Sequence, residues 1–354
     1  MRRGSGSLAR RGPLCARLHC GIGRHGPHGT PRCRYAPGMT AEESRGGEQS
    51  MSRWADIDGP VHYVDHGGPA DGPLLVCIHG LGGSLVNWLA VAPLLTETCR
   101  VIALDLAGFG HTRSGSRSTS VQANQRLLDR FLHDVTGMPV ILVGNSMGGL
   151  ISILQASARP ESVAGLVLID PALPVGPRSR PDPMVLATFA AFAVPAVGRR
   201  LLAFRRNTTS AEQAAHDMLE LCCVDTSRVP TQVVDEHIEM AARRREYSDV
   251  DAELVAAAQS LMWVLLDRGR YADMQRSIQA PVLLLHGDRD RLVPLSSARA
   301  AAEANPSWRF EVAEGVGHVP QLEVPEWTAD RILAWLAEHP QSARAAAGAK
   351  GSRR

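Results

Sequence analysis

Ser146 stands alone in the string V-I-L-V-G-N-S-M-G-G (residues 140–149), between an apolar run ending at Gly144 and a helical pattern begun by Leu150, Ile151, Ile153 and Leu154. The reading is strand, sharp turn, helix, with the serine at the apex. Such a turn strains the backbone of its central residue and needs small neighbours for close approach. It also lifts the hydroxyl to where a base can reach it. A G-x-S-x-G string alone arises by chance, but the flanking strand and helix make it specific.

A serine hydroxyl is a weak nucleophile. It needs a base, and the base needs an orienting acid. Two later segments offer them. Pro281–His286 (P-V-L-L-L-H) reads as a buried strand and runs into G-D-R-D-R-L-V-P, so Asp288 and Asp290 lie just past a strand end. Trp308–Ala313 is a further strand, followed by E-G-V-G-H-V-P with His318 on a Gly-rich loop. Asp170 closes another buried strand, Val163–Asp170.

Taken together, the chain resembles the α/β-hydrolase superfamily over roughly residues 58–338. The pieces that carry the resemblance are His79–Gly83 (H-G-L-G-G), Asp105–Gly110 (D-L-A-G-F-G), Gly144–Gly148 (G-N-S-M-G), Gly287–Pro294 and Gly317-His318, in that order. The resemblance implies a capped, esterase- or lipase-like serine hydrolase with no metal or organic cofactor. It makes His318 the general base and Asp290, the second aspartate of G-x-x-D-x-x-V-P, the acid. Asp288 then serves a turn or a cap, and Asp170 stands where some members of the family carry the acid, or else is a turn residue leading into the cap. Oxyanion donors are the N–H of Met147, next after the serine, and of Leu81, with Gly80 allowing close approach. His79 is expected to bond within the oxyanion loop, Asp105 to hold a turn, and His111 to carry no role.

The elements that must position these residues alternate as a parallel sheet covered on both faces requires. Val61–Asp65, Leu74–His79, Arg100–Asp105, the strand into Ser146 and Val163–Asp170 read as strands. Asn87–Leu95, Val121–Val135 and the segment from Ser146 to about Arg159 read as helices. Residues 171–275 break the alternation. Pro171, Pro174, Pro177, Pro181 and Pro183 open a turn-rich stretch, and Met184–Val197 is strongly apolar. Helical segments follow at about 210–223, 230–245 and 248–267. The expected organisation is a core over 53–170 and 276–338, a helical cap over 171–275, and disordered ends at 1–52 and 339–354. Met51 is a plausible start.

Composition excludes several classes. The 354 residues are 44 % hydrophobic and 5 % aromatic with net charge +2, so neither a basic field nor a stacking surface suggests nucleic acid. The seven cysteines lack framework spacing, which reads as free thiols in a reducing, cytoplasmic compartment. Cys15, His19, Cys20, His25, His28 and Cys33 match no standard zinc pattern. Met184–Val197 is too short to span a bilayer. It reads as a cap helix lining a lipophilic pocket, or, with Arg199, Arg200, Arg205 and Arg206 beside it, as a membrane-surface contact. The expected partner is a small ester.

Serine at the apex disfavours epoxide hydrolases and dehalogenases, which carry Asp there, and dienelactone hydrolases, which carry Cys. Carbon–carbon bond hydrolases of ring-fission products share G-N-S-M-G-G, but a tryptophan often follows their histidine, where this chain has Val319. Cofactor-free perhydrolases share the triad. A non-catalytic ligand-binding protein on the same fold is the alternative of a different class.

Overall fold

The computed structural model describes residues 52–176, 179 and 181–347. An eight-stranded sheet has the order β1-β2-β4-β3-β5-β6-β7-β8. Its strands are β1 (Ser52–Asp56), β2 (Pro60–Gly67), β3 (Leu74–Ile78), β4 (Arg100–Leu104), β5 (Val140–Asn145), β6 (Val163–Ile169), β7 (Val282–Gly287) and β8 (Arg309–Ala313). β1 and β2 run antiparallel, and β4, β3 and β5 to β8 are mutually parallel. Every residue of β3, β5 and β7 is buried, as the unbroken apolar runs require of strands covered on both faces.

The helices are α1 (Ala92–Leu95), α2 (Val121–Phe131), α3 (Met147–Ala158), α4 (Pro183–Ala193), α5 (Pro195–Thr208), α6 (Ala211–Cys222), α7 (Thr231–Arg244), α8 (Val250–Leu266), α9 (Arg268–Ser277), α10 (Leu295–Ala304), α11 (Pro320–Glu323), α12 (Pro325–Glu338) and α13 (Pro340–Ala346). The α2 helix shows how local chemistry sets an element. Ser120 accepts from Ala123 N–H as N-cap, and Leu127, Leu128 and Phe131 form the buried stripe.

Two apolar layers sandwich the sheet. One joins Val76, Ile78, Leu142, Leu168 and Leu284 to α2, α3 and α9, and the other joins Leu75, Cys77, Val143, Val167 and Leu285 to α12. Alternate residues of each strand thus face opposite layers.

Several expectations are corrected. Asn87–Leu95 is not one helix but a 3-10 turn, Leu85–Trp88, followed by the single turn of α1, which carries a proline in its first positions. Ser52 belongs to a strand, not to the N-terminal extension, whose residues 1–51 lie outside the described part together with Cys15, His19, Cys20, His25, His28 and Cys33. The stretch after Pro340 is not all disordered. Pro340 opens α13, which packs on β3, β5 and β6 and buries Ala346 completely. Its Ala-rich composition lacks an apolar stripe, yet alanine is the best helix former and packs close. Finally, α9 packs on α3 and puts Tyr271 into the main core, so the core layer resumes near Arg268 rather than at 276.

Candidate active site

The loops carrying the candidate residues all leave the C-terminal ends of parallel strands: 79–83 after β3, Ser146 after β5, Asp170 after β6, Asp288 and Asp290 after β7, and His318 beyond β8. In open α/β sheets that edge is where sites form.

Ser146 sits between β5 and α3 with φ 54° and ψ −118°, a strained conformation for a residue with a side chain. The surroundings over-determine it. Its N–H donates to Ile169 O at 3.1 Å, and its carbonyl accepts from Leu150 N–H at 3.1 Å and Ala172 N–H at 2.9 Å. A Cβ on Gly148 would lie 2.1 Å from Ile78 O, so only glycine lets α3 start this close to β3. Ser146 Oγ makes no hydrogen bond within the described residues, and its residue is half-buried. It is not bonded to His318 Nε2, a looseness common in free enzymes.

His318 is nearly buried, and its Nδ1–H donates to Asp290 Oδ2 at 2.7 Å. The other carboxylate oxygen, Oδ1, accepts from Leu292 N–H at 2.7 Å and Val293 N–H at 3.0 Å. Burial alone would raise the Asp290 carboxyl. The charge and hydrogen bond of His318, with help from His286 and the backbone, instead hold it below the ordinary range. Asp288 is turned away from this pair and accepts from Gly315 N–H at 2.7 Å, which shapes the loop leading to His318.

Asp170 is the surprise of the cluster. It is fully buried at φ 42°, its Oδ1 accepts from Gly287 N–H at 2.9 Å, and its Oδ2 has no donor. One polar atom each of Asp170, Asp290 and His318 lies within 4.8 Å of the others. That spacing could hold a cation, but the 2.7 Å His318–Asp290 contact is already a proton-sharing one. Burial first, and then the charge of Asp290, push the Asp170 carboxyl well above the ordinary range. Burial and the neighbouring Asp290 carboxylate thus favour the protonated form of Asp170. Beneath them, His286 donates Nε2–H to Val293 O at 3.0 Å, and burial lowers its pKa.

This protonation has a measurable sign. A carboxyl raised in the folded state contributes most to stability at low pH, and that contribution is lost as pH climbs from about 4 through the raised value. Asn at 170 can still accept from Gly287 N–H and does not titrate. Asp170→Asn is therefore expected to lose less thermal stability than wild type as pH rises from about 4 to neutrality. Parallel melting curves for the two proteins across that range would refute a protonated Asp170.

In the oxyanion loop, His79 is fully buried. Its Nε2 accepts from Leu106 N–H at 3.1 Å, so its Nδ1 carries the hydrogen and donates to Gly80 O at 2.8 Å. Desolvation lowers its pKa, which suits a neutral strut. A Cβ on Gly80 would lie 3.0 Å from Ser146 Cβ, which places the loop directly against the serine. Neither Leu81 N–H nor Met147 N–H donates to an acceptor of the described residues. The Leu81 side chain packs with Phe189, Phe192, Val255 and Met262 of α4 and α8, beneath the cap. Asp105 is a structural acid, accepting from His62 Nδ1–H, Leu85 N–H and His111 N–H at 2.8, 2.8 and 2.9 Å.

Two residues that sequence reading passed over tie the site together. Asn145 Nδ2 donates to both Ile169 O at 3.1 Å and His318 O at 3.0 Å, and so couples the serine turn to the histidine loop. Glu323, almost fully buried at the end of α11, accepts from Gly317 N–H at 2.8 Å, Asp225 N–H at 3.0 Å and Val224 N–H at 3.2 Å. His318 N–H donates to Cys222 O at 2.6 Å. The histidine loop thus hangs from cap segment 222–225. The Cys222 thiol is pushed up to about 12, by burial before the nearby carboxylates, and is no rival nucleophile. The described cysteines, Cys77, Cys99, Cys222 and Cys223, are all free. A surface cleft of about 640 Å³ opens behind this loop among Cys222, Val224, Arg228, Arg289 and Gly315, and Ser146 does not line it.

A mostly parallel sheet with a strained strand–serine–helix turn and a helical insertion after β6 defines a class of doubly wound hydrolase. Residues 73–325 match the family model described as the alpha/beta hydrolase fold. The chain belongs to the α/β-hydrolase family. Among curated relatives it is 24 % identical to the human monoacylglycerol lipase ABHD6 over 290 residues, covering 78 % of this chain and 81 % of that one. It is 27 % identical over 298 residues to the 2-hydroxy-6-oxo-6-(2'-aminophenyl)hexa-2,4-dienoic acid hydrolase of Metapseudomonas resinovorans, covering 81 % and 91 %. A solved membrane phospholipase A, described as a bacterial virulence factor, shares 30 % identity and a TM-score of 0.63 over 82 % of this chain and 86 % of that one.

Proposed function

We propose that the protein is a serine hydrolase of carboxylic esters with a lipophilic acyl or alcohol group. His318 takes the proton of Ser146, and the alkoxide attacks the ester carbonyl. The N–H groups of Leu81 and Met147 receive the oxyanion. His318 then protonates the leaving alcohol, and water releases the acyl group in a second cycle. Asp290 fixes the tautomer that leaves Nε2 free to act as base.

The observation that carries this reading is the buried His318–Asp290 pair, joined through Asn145 to the strained turn that presents Ser146. The lipophilic preference is supported by the apolar underside of the cap, where Phe189, Phe192, Leu202, Val255 and Met262 meet Leu81 above the oxyanion loop. The lipases among its relatives favour the same chemistry.

Hydrolysis of p-nitrophenyl esters from acetate to palmitate tests it. Turnover with a preference beyond the shortest acyl chains is expected. An enzyme inert on every ester, yet labelled by a fluorophosphonate, would move the assignment to carbon–carbon bond cleavage of ring-fission dienones, which the dienoic acid hydrolase relative makes the second reading. Failure to label as well would leave a ligand-binding protein.

A further inference from the structure

One face of the cap is built against the usual pattern of a solvated surface. At the corner between α4 and α5 the chain reads Ala193-Val-Pro-Ala-Val197, and all five residues are exposed. The two helices meet there with a bend of 119°. Leu186, Val197, Leu201, Phe204, Trp263 and Leu266 add large apolar side chains in solvent, with Phe204 65 %, Leu266 70 % and Trp263 73 % exposed. Monomeric soluble proteins rarely leave so many large apolar side chains in solvent on one pair of helices and their neighbour. On α5, Val197, Leu201 and Phe204 recur at helical spacing on the side opposite Gly198 and Leu202, which pack toward α8. The outward stripe is thus additional to the inner one.

Along α4 and α5 the charges have one sign, whereas on α8 the exposed Asp267 follows Leu266 and caps Arg270 N–H. From Pro183 to Thr209 there is no acidic residue, while Arg199, Arg200, Arg205 and Arg206 follow the corner. Arg205 and Arg206 are paired with Asp217 and Asp251, at 2.7 and 2.9 Å. Arg199 and Arg200 are exposed and have no acidic partner among the described residues, and the same holds for the Arg270 guanidinium, just past Leu266. No single helix among the described residues is long and apolar enough to cross a bilayer, and α4 with α5, which together have the length and hydropathy, are folded on each other by the 119° bend. An apolar wedge rimmed by unpaired guanidinium groups fits the boundary between headgroups and acyl chains instead.

We propose that the α4–α5 corner, with Trp263 and Leu266, docks the enzyme on the surface of an anionic phospholipid bilayer. The apolar residues enter the acyl boundary, and Arg199, Arg200 and Arg270 contact the phosphates. The inner sides of α4 and α8 cover the oxyanion loop, so docking would set the lipophilic pocket against the phase that dissolves its substrate. That consequence rests on the proposed esterase reading, whereas docking itself does not.

Co-sedimentation with vesicles tests docking without reference to activity. Wild type is expected to bind phosphatidylcholine vesicles containing phosphatidylglycerol, more weakly as salt rises, and to bind pure phosphatidylcholine less. Arg199→Glu/Arg200→Glu should weaken binding at least roughly fivefold per arginine, and Phe204→Ser/Trp263→Ser should abolish it. Both variants should keep wild-type melting temperature and wild-type hydrolysis of a soluble short-chain p-nitrophenyl ester. No binding of wild type to either vesicle would overturn the proposal, as would equal binding by the variants. A wild-type dimer in sedimentation equilibrium, dissociated by Phe204→Ser/Trp263→Ser, would also overturn it by assigning the face to a second copy. Loss of ester turnover with intact vesicle binding would instead count only against the esterase reading.

Discussion

Replacing Ser146 by alanine is expected to cut kcat on the preferred p-nitrophenyl ester by on the order of 10⁶-fold and to leave the melting temperature unchanged. The size follows from losing the attacking atom, since the base and acid have nothing left to act on. The fold should not notice. Ser146 Oγ holds no hydrogen-bond partner among the described residues, and the hydrogen bonds that lock the turn are made by its backbone N–H and carbonyl. Alanine keeps the Cβ against which Gly80 is fitted. What remains should be the contribution of the oxyanion donors and of substrate binding, about 10³-fold over water. Steady-state kinetics on protein free of host esterases, beside a melting curve, decide the matter. A loss below tenfold would remove Ser146 from the chemistry.

Asp290→Asn is expected to reduce kcat about 10⁴-fold, the scale set by the same change in the serine protease template. The cause lies in how the carboxylate is held. Oδ1 accepts from Leu292 N–H and Val293 N–H, so the amide oxygen of Asn would stay there and its NH₂ would face His318. A donor opposite Nδ1 forces the imidazole proton onto Nε2, where the base must be free. Asp170→Asn, by contrast, leaves the His318–Asp290 bond in place and is expected to stay within about tenfold of wild type. If Asp170→Asn proves the more damaging of the two, the acid is Asp170 and the assignment of the β6 and β7 carboxylates must be exchanged.

Much of the sheet was legible because buried parallel strands write themselves as unbroken apolar runs. The serine turn was legible because the period changes across it, from strand to helix, within ten residues. The pairing of Asp290 with His318 rested on a resemblance, since nothing in the spacing distinguishes Asp290 from Asp288. Asn145 and Glu323 left no trace at all. Asn145 reaches His318 across 173 positions, and Glu323 reaches Val224 across 99. Their roles exist only in the folded geometry. Helix α5 was obscured by Pro195, which reads as a breaker but here occupies the first helical turn. Helix α13 was hidden by a composition that looks like a tail.

The Glu323 contacts also say how the cap can move. One margin of the cap, at Cys222–Asp225, is riveted to the loop that carries His318, so displacing that margin would drag the base off the serine. The opposite margin, the corner between α4 and α5, bears no such tie. The cap is fastened at other points as well, Asp182 to Arg291, Arg244 to Gly108 O, Val121 N–H to Ser260 Oγ and Thr119 Oγ1 to Glu253 O, so in mechanical terms the corner overhangs a cap that is otherwise pinned to the core. A cap transplanted from a relative would therefore keep the serine armed only if its own counterpart of 222–225 still fits the carboxylate of Glu323.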